Sequence, residues 1–420
     1  MRPARRPPTS SRFTNMMRHA PSIGLGIGLS LRGSGGVGFR GLLDQYGGAA
    51  AAYSLRALSS GWLAGDVVEV RRSSDSTSLP FTANQITNGD LVDFVNSNWS
   101  DTASTDNTAD WTTVDGTIAF DTDHYVVTYS APTQWAFIDQ APALVAGAEV
   151  TFSVDVKSGT GGDVDVTAGA SRVGGNQVVQ LLGTSSSEWQ TLSATYNAGG
   201  ATFENPSILF ALTSGNIQFK NFTVTQKIDG YVSTWYDQSG NANDATQGTT
   251  TAQPKIVDAG ALVTGGIDFD GVDDLLSNGS LTLGATVTAY SVTNSTAKGN
   301  SSYIYSINGT SGIVDFTDPS GFASIFAGTS LKASTDISGV DVLKSSLFNG
   351  ANSNIRVNGA SVATGTSNTQ LANGTLVIGG GGIVADRMLG TIKEIIIYGS
   401  DQSANRTGIE ANINAAYSIY

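Results

Sequence analysis

At 420 residues, with 14% charged residues, 51 glycines and no cysteine, the chain exceeds the ~250–300 residues at which a single core stops growing, and it holds no disulfide, thiolate nucleophile or cysteine metal site. Two histidines, His19 and His124, do not suggest a histidine-rich zinc centre. The net charge of −13 is unevenly divided: residues 1–40 carry seven Arg and no acid, leaving 15 basic and 35 acidic residues beyond, and so acidic a body repels phosphate backbones and argues against nucleic-acid readout. No stretch approaches the ~20 apolar residues of a membrane span. Low charge with abundant Gly, Thr, Val and Ile favours short strands and tight turns over helices, so the expected class is all-β.

In chain order, residues 1–43 read as an extended N-terminal arm. Arg5 and Arg6 precede an apolar stretch in which Ile23, Leu25, Ile27, Leu29 and Leu31 share one face with Gly or Ser opposite. This glycine-interrupted alternation is wrong for the helical region of a signal peptide. It suits a leader, a first sandwich strand or, as preferred here, an anchor that adds to a partner's sheet. In residues 44–96, Ala49–Leu58 is expected to be a helix with Leu55 and Leu58 on one side. Val67–Arg71 alternates as a strand whose last residue and Arg72 point to opposite faces, one solvated and the other pairing inside with a carboxylate.

Residues 97–228 have a complete β pattern of their own. Val150, Phe152, Val154 and Val156 alternate inward, as do Ile217, Phe219, Phe222 and Val224, while Trp189, Leu192 and Tyr196 are read as core anchors. At about 130 residues the segment is long enough to fold alone, and its ends, Asn96 and Asp229, are expected to lie together. Residues 234–247 carry turn chemistry in Asp237, Gly240, Asn241 and Asn243. Evenly spaced strands follow at 286–292, 302–307, 344–349, 353–357, 375–379 and 391–398. A closing helix over 401–415 turns Ile409 and Ile413 toward the sheet and leaves Arg406 and Glu410 as an exposed pair. Asp268, Asp270, Asp273 and Asp274 form an acidic turn. It offers oxygens to Ca²⁺, but the preferred reading is a plain sandwich turn in which Gly271 supplies the unusual dihedral.

The blocks YSLRALS (53–59), RRSSD (71–75), WYDQSGNANDATQ (235–247), AQPKIVD (252–258) and DFDGVDD (268–274) together resemble the catalytic domain of arabinofuranosidase B. They are similar also to phage virion proteins built on the same concanavalin A-like (LamG-like) β-sandwich. In that family the blocks are close neighbours, so the intervening 97–228 reads as an inserted domain, itself similar to jelly-roll carbohydrate-binding modules. The implied organisation is an arm at 1–43, a sandwich of 44–96 plus 229–420, and a jelly roll at 97–228. The family is one of retaining glycosidases, which need two carboxyl groups about 5–5.5 Å apart. Its nucleophilic Glu follows a Val-Asp-aromatic stretch; here Val314-Asp315-Phe316 is followed by Thr317. Its acid/base Asp follows an Ile-Gly-Gly run; here the run at 378–382 leads to Ile383. The resemblance therefore implies a scaffold without its catalytic carboxylates, with Asp315, Asp318 and Asp386 as the nearest acids, and a protein that is not an enzyme.

Flat aromatic side chains pack on sugar C–H groups while amides and carboxylates take hydroxyls. The insert offers Trp111, Tyr125, Gln134, Trp135, Asn176 and Gln177 for this, with Trp111 and Tyr125 nearest to loops and Trp135 equally suited to the core. The expected function is a virion appendage of a tailed phage: a tail fibre, tail-tip or capsid-surface protein on the particle exterior. Its arm docks to other virion proteins, copies of the chain assemble together, and the insert meets a host-surface glycan, with no cofactor beyond the Ca²⁺ alternative. A secreted arabinofuranosidase-like hydrolase with a binding module is the rival reading, and a ligand-free capsid decoration protein the second.

Overall fold

The computed structural model of the chain describes residues 39–96, 99–101, 103–114, 116–129, 134–138, 148–158, 164–170, 178–184, 188–197, 206–211, 215–296, 299–309, 312–367, 373–381 and 386–420. Arg5, Arg6, Ile23, Leu25, Ile27, Leu29 and Leu31 of the expected anchor lie outside these residues. The described chain is nearly all antiparallel β-sheet, with helices limited to Leu42–Gln45, Ala83–Asn88, Asp90–Asn96 and Arg406–Tyr417 and a few 3₁₀ turns.

The scaffold is a sandwich whose organising element is the Leu389–Tyr398 strand. One of its edges is shared end to end by Ala49–Ser54 and Ile267–Asp270, and Val287–Ser295 pairs along the other. Asp341–Phe348, Gly350–Val357 and Ala360–Ser367 extend this sheet. The opposing sheet runs from Ser78–Thr82 through Asp66–Arg72, Gly230–Trp235, Ala245–Thr246, Leu276–Ser277 and Leu376–Ile378 to Ser302–Ile307. It continues through Ile313–Thr317 and Phe322–Phe326 to Ser330–Asp336. Lys255–Asp258 joins the two sheets, pairing with Gly230–Trp235 and, at Lys255, with Asp268.

The run Ile395-Ile396-Ile397-Tyr398 is apolar at every position because both faces of its strand are covered. Ile395 and Ile397 enter the inter-sheet core with Tyr53, Trp235 and Phe269, whereas Ile396 and Tyr398 sit under Leu42, Ile409 and Ile413. The closing helix thus buries Ile409 and Ile413 as its spacing implies. Glu410 is not exposed: it is 3% accessible, accepts from Ser345 Oγ at 2.8 Å and pairs with Arg406. The sheet beneath the helix supplied a partner that the helix sequence cannot display.

Ala49–Ser54 is a strand, not the first part of a helix. Alanine favours helix in isolation, but here the register with Ser54↔Glu394 through Ala49↔Tyr398 settles the conformation. The small side chains also admit the 237–243 loop: Ala52 N–H donates to Asp237 Oδ1 at 2.8 Å, and Ala52 O accepts from the Gln238 N–H at 2.8 Å. Arg71 and Arg72 do diverge. Arg71, 9% accessible, meets no carboxylate among the described residues but donates to Gln253 Oε1 at 2.7 Å and Thr250 O at 3.2 Å, while Arg72 forks onto Asp75.

Residues 99–227 build two sheets of their own. One orders Val178–Thr184, Val164–Ala170, Pro206–Ala211, Gln134–Ile138 and Trp111–Val114; the other orders Gln190–Asn197, Glu149–Ser158, Gly215–Lys227, His124–Tyr129 and Gly116–Asp121, with Trp99–Asp101 also on Gly215–Lys227. Phe219 and Phe222, three apart, both face inward because a bulge between Lys220 and Thr223 resets the alternation, with Asn221 at φ 51°. Among the described residues no strand of this segment pairs with the scaffold sheets. Its ends meet: Asn96 Oδ1 accepts from the Ile228 N–H at 3.2 Å. The inter-sheet apolar residues of both sandwiches nonetheless form one continuous cluster that includes Leu91, Val95 and Ile228 at the junction, within a single compact unit of Arg40–Tyr420.

Candidate functional site

The sequence blocks at 53–59 and 235–247 hold one another, and Glu394, in place. Asp237, 1% accessible, accepts from the N–H groups of Ala52, Ser239 and Asn243 at 2.8, 2.9 and 3.0 Å. The Gln238 side chain accepts from Leu58 N at 2.8 Å and donates to Ser54 O and Arg56 O at 2.9 and 3.0 Å. Arg56 forks onto Glu394 at 2.8 and 3.0 Å, and Glu394, 0% accessible, also receives Ser54 Oγ and Tyr417 Oη. The two halves separated by the insert are therefore sewn together by buried polar bonds.

Where the resemblance places the nucleophile, Thr317 is 0% accessible and its hydroxyl has no hydrogen-bond partner among the described residues. Asp315, on the same face of the strand, is 1% accessible; it contacts Lys344 Nζ and accepts from Ser346 Oγ at 2.6 Å. Asp318 pairs with Lys332 and accepts from the N–H groups of Ser320 and Phe322, both at 2.9 Å. Ile383 lies outside the described residues. Before it, the glycine run is lined by large side chains: a Cβ on Gly379 would meet the Phe269 ring at 2.3 Å, and one on Gly381 the Tyr303 ring at 2.4 Å. Asp386 is buried beside Tyr303, whose phenol is pushed up to about 12 by burial and then by that carboxylate. Each of the three nearby acids is buried, and Asp315 and Asp318 are already bound to lysines.

The acidic turn brings Asp270, Asp273 and Asp274 together, with one carboxylate oxygen of each within 4.8 Å of the others; Asp268 stands apart from this group. Asp270 accepts from the Val272 and Asp273 N–H groups at 2.7 and 3.3 Å, and Asp274 accepts from the Asp270 N–H at 3.0 Å. With Gly271 at φ 76°, these are the bonds of a tight turn. Burial, reinforced by Asp270 and Asp273, pushes the Asp274 carboxyl up to about 7. Burial likewise raises Asp268.

In the insert, two predicted sugar contacts are core residues. Trp111 is 5% and Tyr125 0% accessible. Trp111 packs edge-on against Phe219 at 4.8 Å and Phe222 at 5.7 Å, and Tyr125 lies 5.2 Å from Phe219. Proximity to loops is no guide here, because the Trp111–Val114 and His124–Tyr129 strands turn those rings inward. Gln134 and Trp135 belong to the Gln134–Ile138 strand, with side chains outside the description, and Asn176 and Gln177 lie outside the described residues.

Among the described residues, Trp189 is an aromatic that faces outward, half-buried rather than core. The alternation contained the signal: Trp189 shares parity with Thr191, Ser193 and Thr195, not with Leu192 and Tyr196. Thr191, Ser193 and Thr195 pair with Asp155, Ser153 and Thr151 of the next strand, so the face is lined by hydroxyls and one carboxylate. Lys220 Nζ lies 4.4 Å and Lys157 Nζ 5.9 Å from the Trp189 ring centre, and His124 meets it edge-on at 5.5 Å. Asp123 bridges Lys220 at 2.9 Å and His124 Nδ1 at 3.0 Å, and the His124 and Lys220 bonds hold its carboxyl below the usual range. Asp155 accepts from Thr191 Oγ1 at 2.5 Å and Asn221 Nδ2 at 2.6 Å. The result is an aromatic ring set in a lattice of ordered donors and acceptors on an open sheet face.

No protein-family model matches the chain, nor does any curated protein sequence. Solved structures similar to part of it include carbohydrate-binding modules and a phage tailspike domain. The Clostridium thermocellum xylanase 10B CBM22-1–GH10 modules complexed with xylohexaose match at 20% identity and a TM-score of 0.26, over 30% of this chain and 28% of that one. A CBM4 module matches at 18% identity and a TM-score of 0.24, over 30% of this chain and 91% of that one. The enzymatically active domain of bacteriophage CBA120 tailspike protein 4 matches at 14% identity and a TM-score of 0.23, over 29% and 20% of the two chains.

Proposed function

We propose that the protein is a non-catalytic structural component of a tailed-phage particle that binds a host-surface glycan through the insert. The observation that carries the binding reading is the outward, half-buried Trp189, with Lys220 and Lys157 over its ring and His124 at its edge, on a sheet face where Asp155, Thr191 and Asn221 form a polar cluster whose remaining bonding capacity suits sugar hydroxyls. Absence of catalysis is supported by Thr317 and by the engagement of Asp315 with Lys344 and Ser346, since a threonine forms no glycosyl ester. The particle assignment and the docking role of residues 1–43 rest on the resemblance to virion proteins and on the arm's Arg-rich, alternating sequence.

The test is binding of the full chain to a panel of host-surface polysaccharides, beside turnover of an aryl-arabinofuranoside. Saturable binding that Trp189→Ala removes, without turnover, is the expected result. Release of the aryl group by a folded sample defeats the non-catalytic reading, and binding indifferent to Trp189 defeats the proposed interface.

A further inference from the structure

Lys344 and Asp315 sit in opposite sheets of the scaffold, Lys344 on Asp341–Phe348 and Asp315 on Ile313–Thr317. Both are sealed in the core at 0% and 1% accessibility, and the amine contacts the carboxylate directly. An isolated buried ion pair is seldom a net source of stability, since desolvating both charges offsets their attraction, and an apolar pair of similar volume is often as good. Another outcome is open to a buried amine held against a buried carboxyl.

We propose that Lys344 and Asp315 condense to an intramolecular isopeptide bond that ties the two sheets of the scaffold together. The reaction balances without any co-reactant. A proton passes from the ammonium to Asp315 Oδ1 along their hydrogen bond, giving a neutral amine and a carboxylic acid. Nζ attacks Cγ, the Nζ–Cγ bond forms, the Cγ–Oδ1 bond breaks, and Oδ1 leaves with two protons as water. The surroundings suit each stage. Burial lowers the Lys344 pKa and so favours the nucleophilic free amine. Phe316 O at 3.1 Å and Ser324 O at 2.8 Å hold Nζ in place, and one of them remains as acceptor for the product amide N–H. Ser346 Oγ donates to Oδ2 at 2.6 Å, the oxygen that stays, and so supports charge there in the tetrahedral intermediate. Tyr305, opposite Asp315 in the paired strand, stays a neutral phenol because burial and the Asp315 charge raise its pKa. Water is excluded, which removes the competing hydrolysis. In a chain without cysteine, such a bond supplies the covalent link that a disulfide gives elsewhere.

Intact mass spectrometry of the full chain is the test, followed by tryptic mapping. The expected mass is lower than that of the sequence by one water, with trypsin failing to cut after Lys344 and a branched peptide joining 315 to 344. Lys344→Arg restores the full sequence mass. Asp315→Asn reaches the same linked product as the native chain, because its side chain leaves as ammonia. A folded native chain at full sequence mass overturns the proposal, as does a lost water that fragmentation places anywhere else, such as a succinimide on the Asp residues of a turn. The native measurement stands even if a variant fails to fold.

Discussion

Replacing Arg56 by Ala tests whether the sequence blocks around Arg56 and Glu394 act as a structural clasp. The substitution removes both charge-assisted bonds to Glu394, at 2.8 and 3.0 Å, and leaves that carboxylate at 0% accessibility with Ser54 and Tyr417 as its remaining donors. It also removes the bond from Arg56 to Asn412 at 3.1 Å and the guanidinium over the Tyr417 ring, two ties to the closing helix. Breaking a buried pair by deleting one partner destabilises by about 3–5 kcal/mol. Arg56 retains 24% side-chain accessibility, so water enters the gap and the lower end, about 3 kcal/mol, is expected. Adding Glu394→Gln removes the stranded charge, and the double variant should be more stable than Arg56→Ala alone, the difference read from a double-mutant cycle in urea denaturation. An Arg56→Ala midpoint within about 0.5 kcal/mol of the native protein, the range of an ordinary surface substitution, would refute the reasoning.

Three further outcomes can be measured. Trp111→Ala should cost about 3–5 kcal/mol, as for other large aromatic core deletions, whereas Trp189→Ala should stay within about 1 kcal/mol while abolishing glycan binding; equal losses of stability would show that Trp189 is core after all. Asp274, at about 7 in the fold against ~3.9 in an unfolded chain, is favoured as the neutral acid. Its contribution is therefore fully present at acid pH and declines as pH rises from about 4 to about 7. Asp274→Asn should flatten the melting temperature across that window relative to the native chain; parallel curves would contradict the burial argument. On the proposed docking role, which rests on the sequence of the arm, deleting residues 1–40 should leave a folded body that no longer joins a particle, and unimpaired incorporation would remove the arm from docking.

Alternation and composition made the class of this protein legible: low charge, β-branched runs and polar turns can be satisfied only by antiparallel sheets with one face inward. The inward rows Val150–Val156 and Ile217–Val224, the closing helix and the meeting of residues 96 and 228 were equally readable, because each depends on periodicity or on chain ends. What sequence could not supply was the partner across space. Ala49–Ser54 is a strand because the edge of Leu389–Tyr398 and the Asp237 loop demand it, overriding a weak helical propensity. Glu410 and Arg71 are buried because the sheet and Gln253 satisfy them. Trp189 is the instructive middle case. Its parity was written in the sequence, yet the lysines, histidine and carboxylates around it come from three neighbouring strands and the turn at Asp123. A strand's sequence fixes which side each residue takes, but only the packing of sheets decides which side meets solvent, and which charges meet each other.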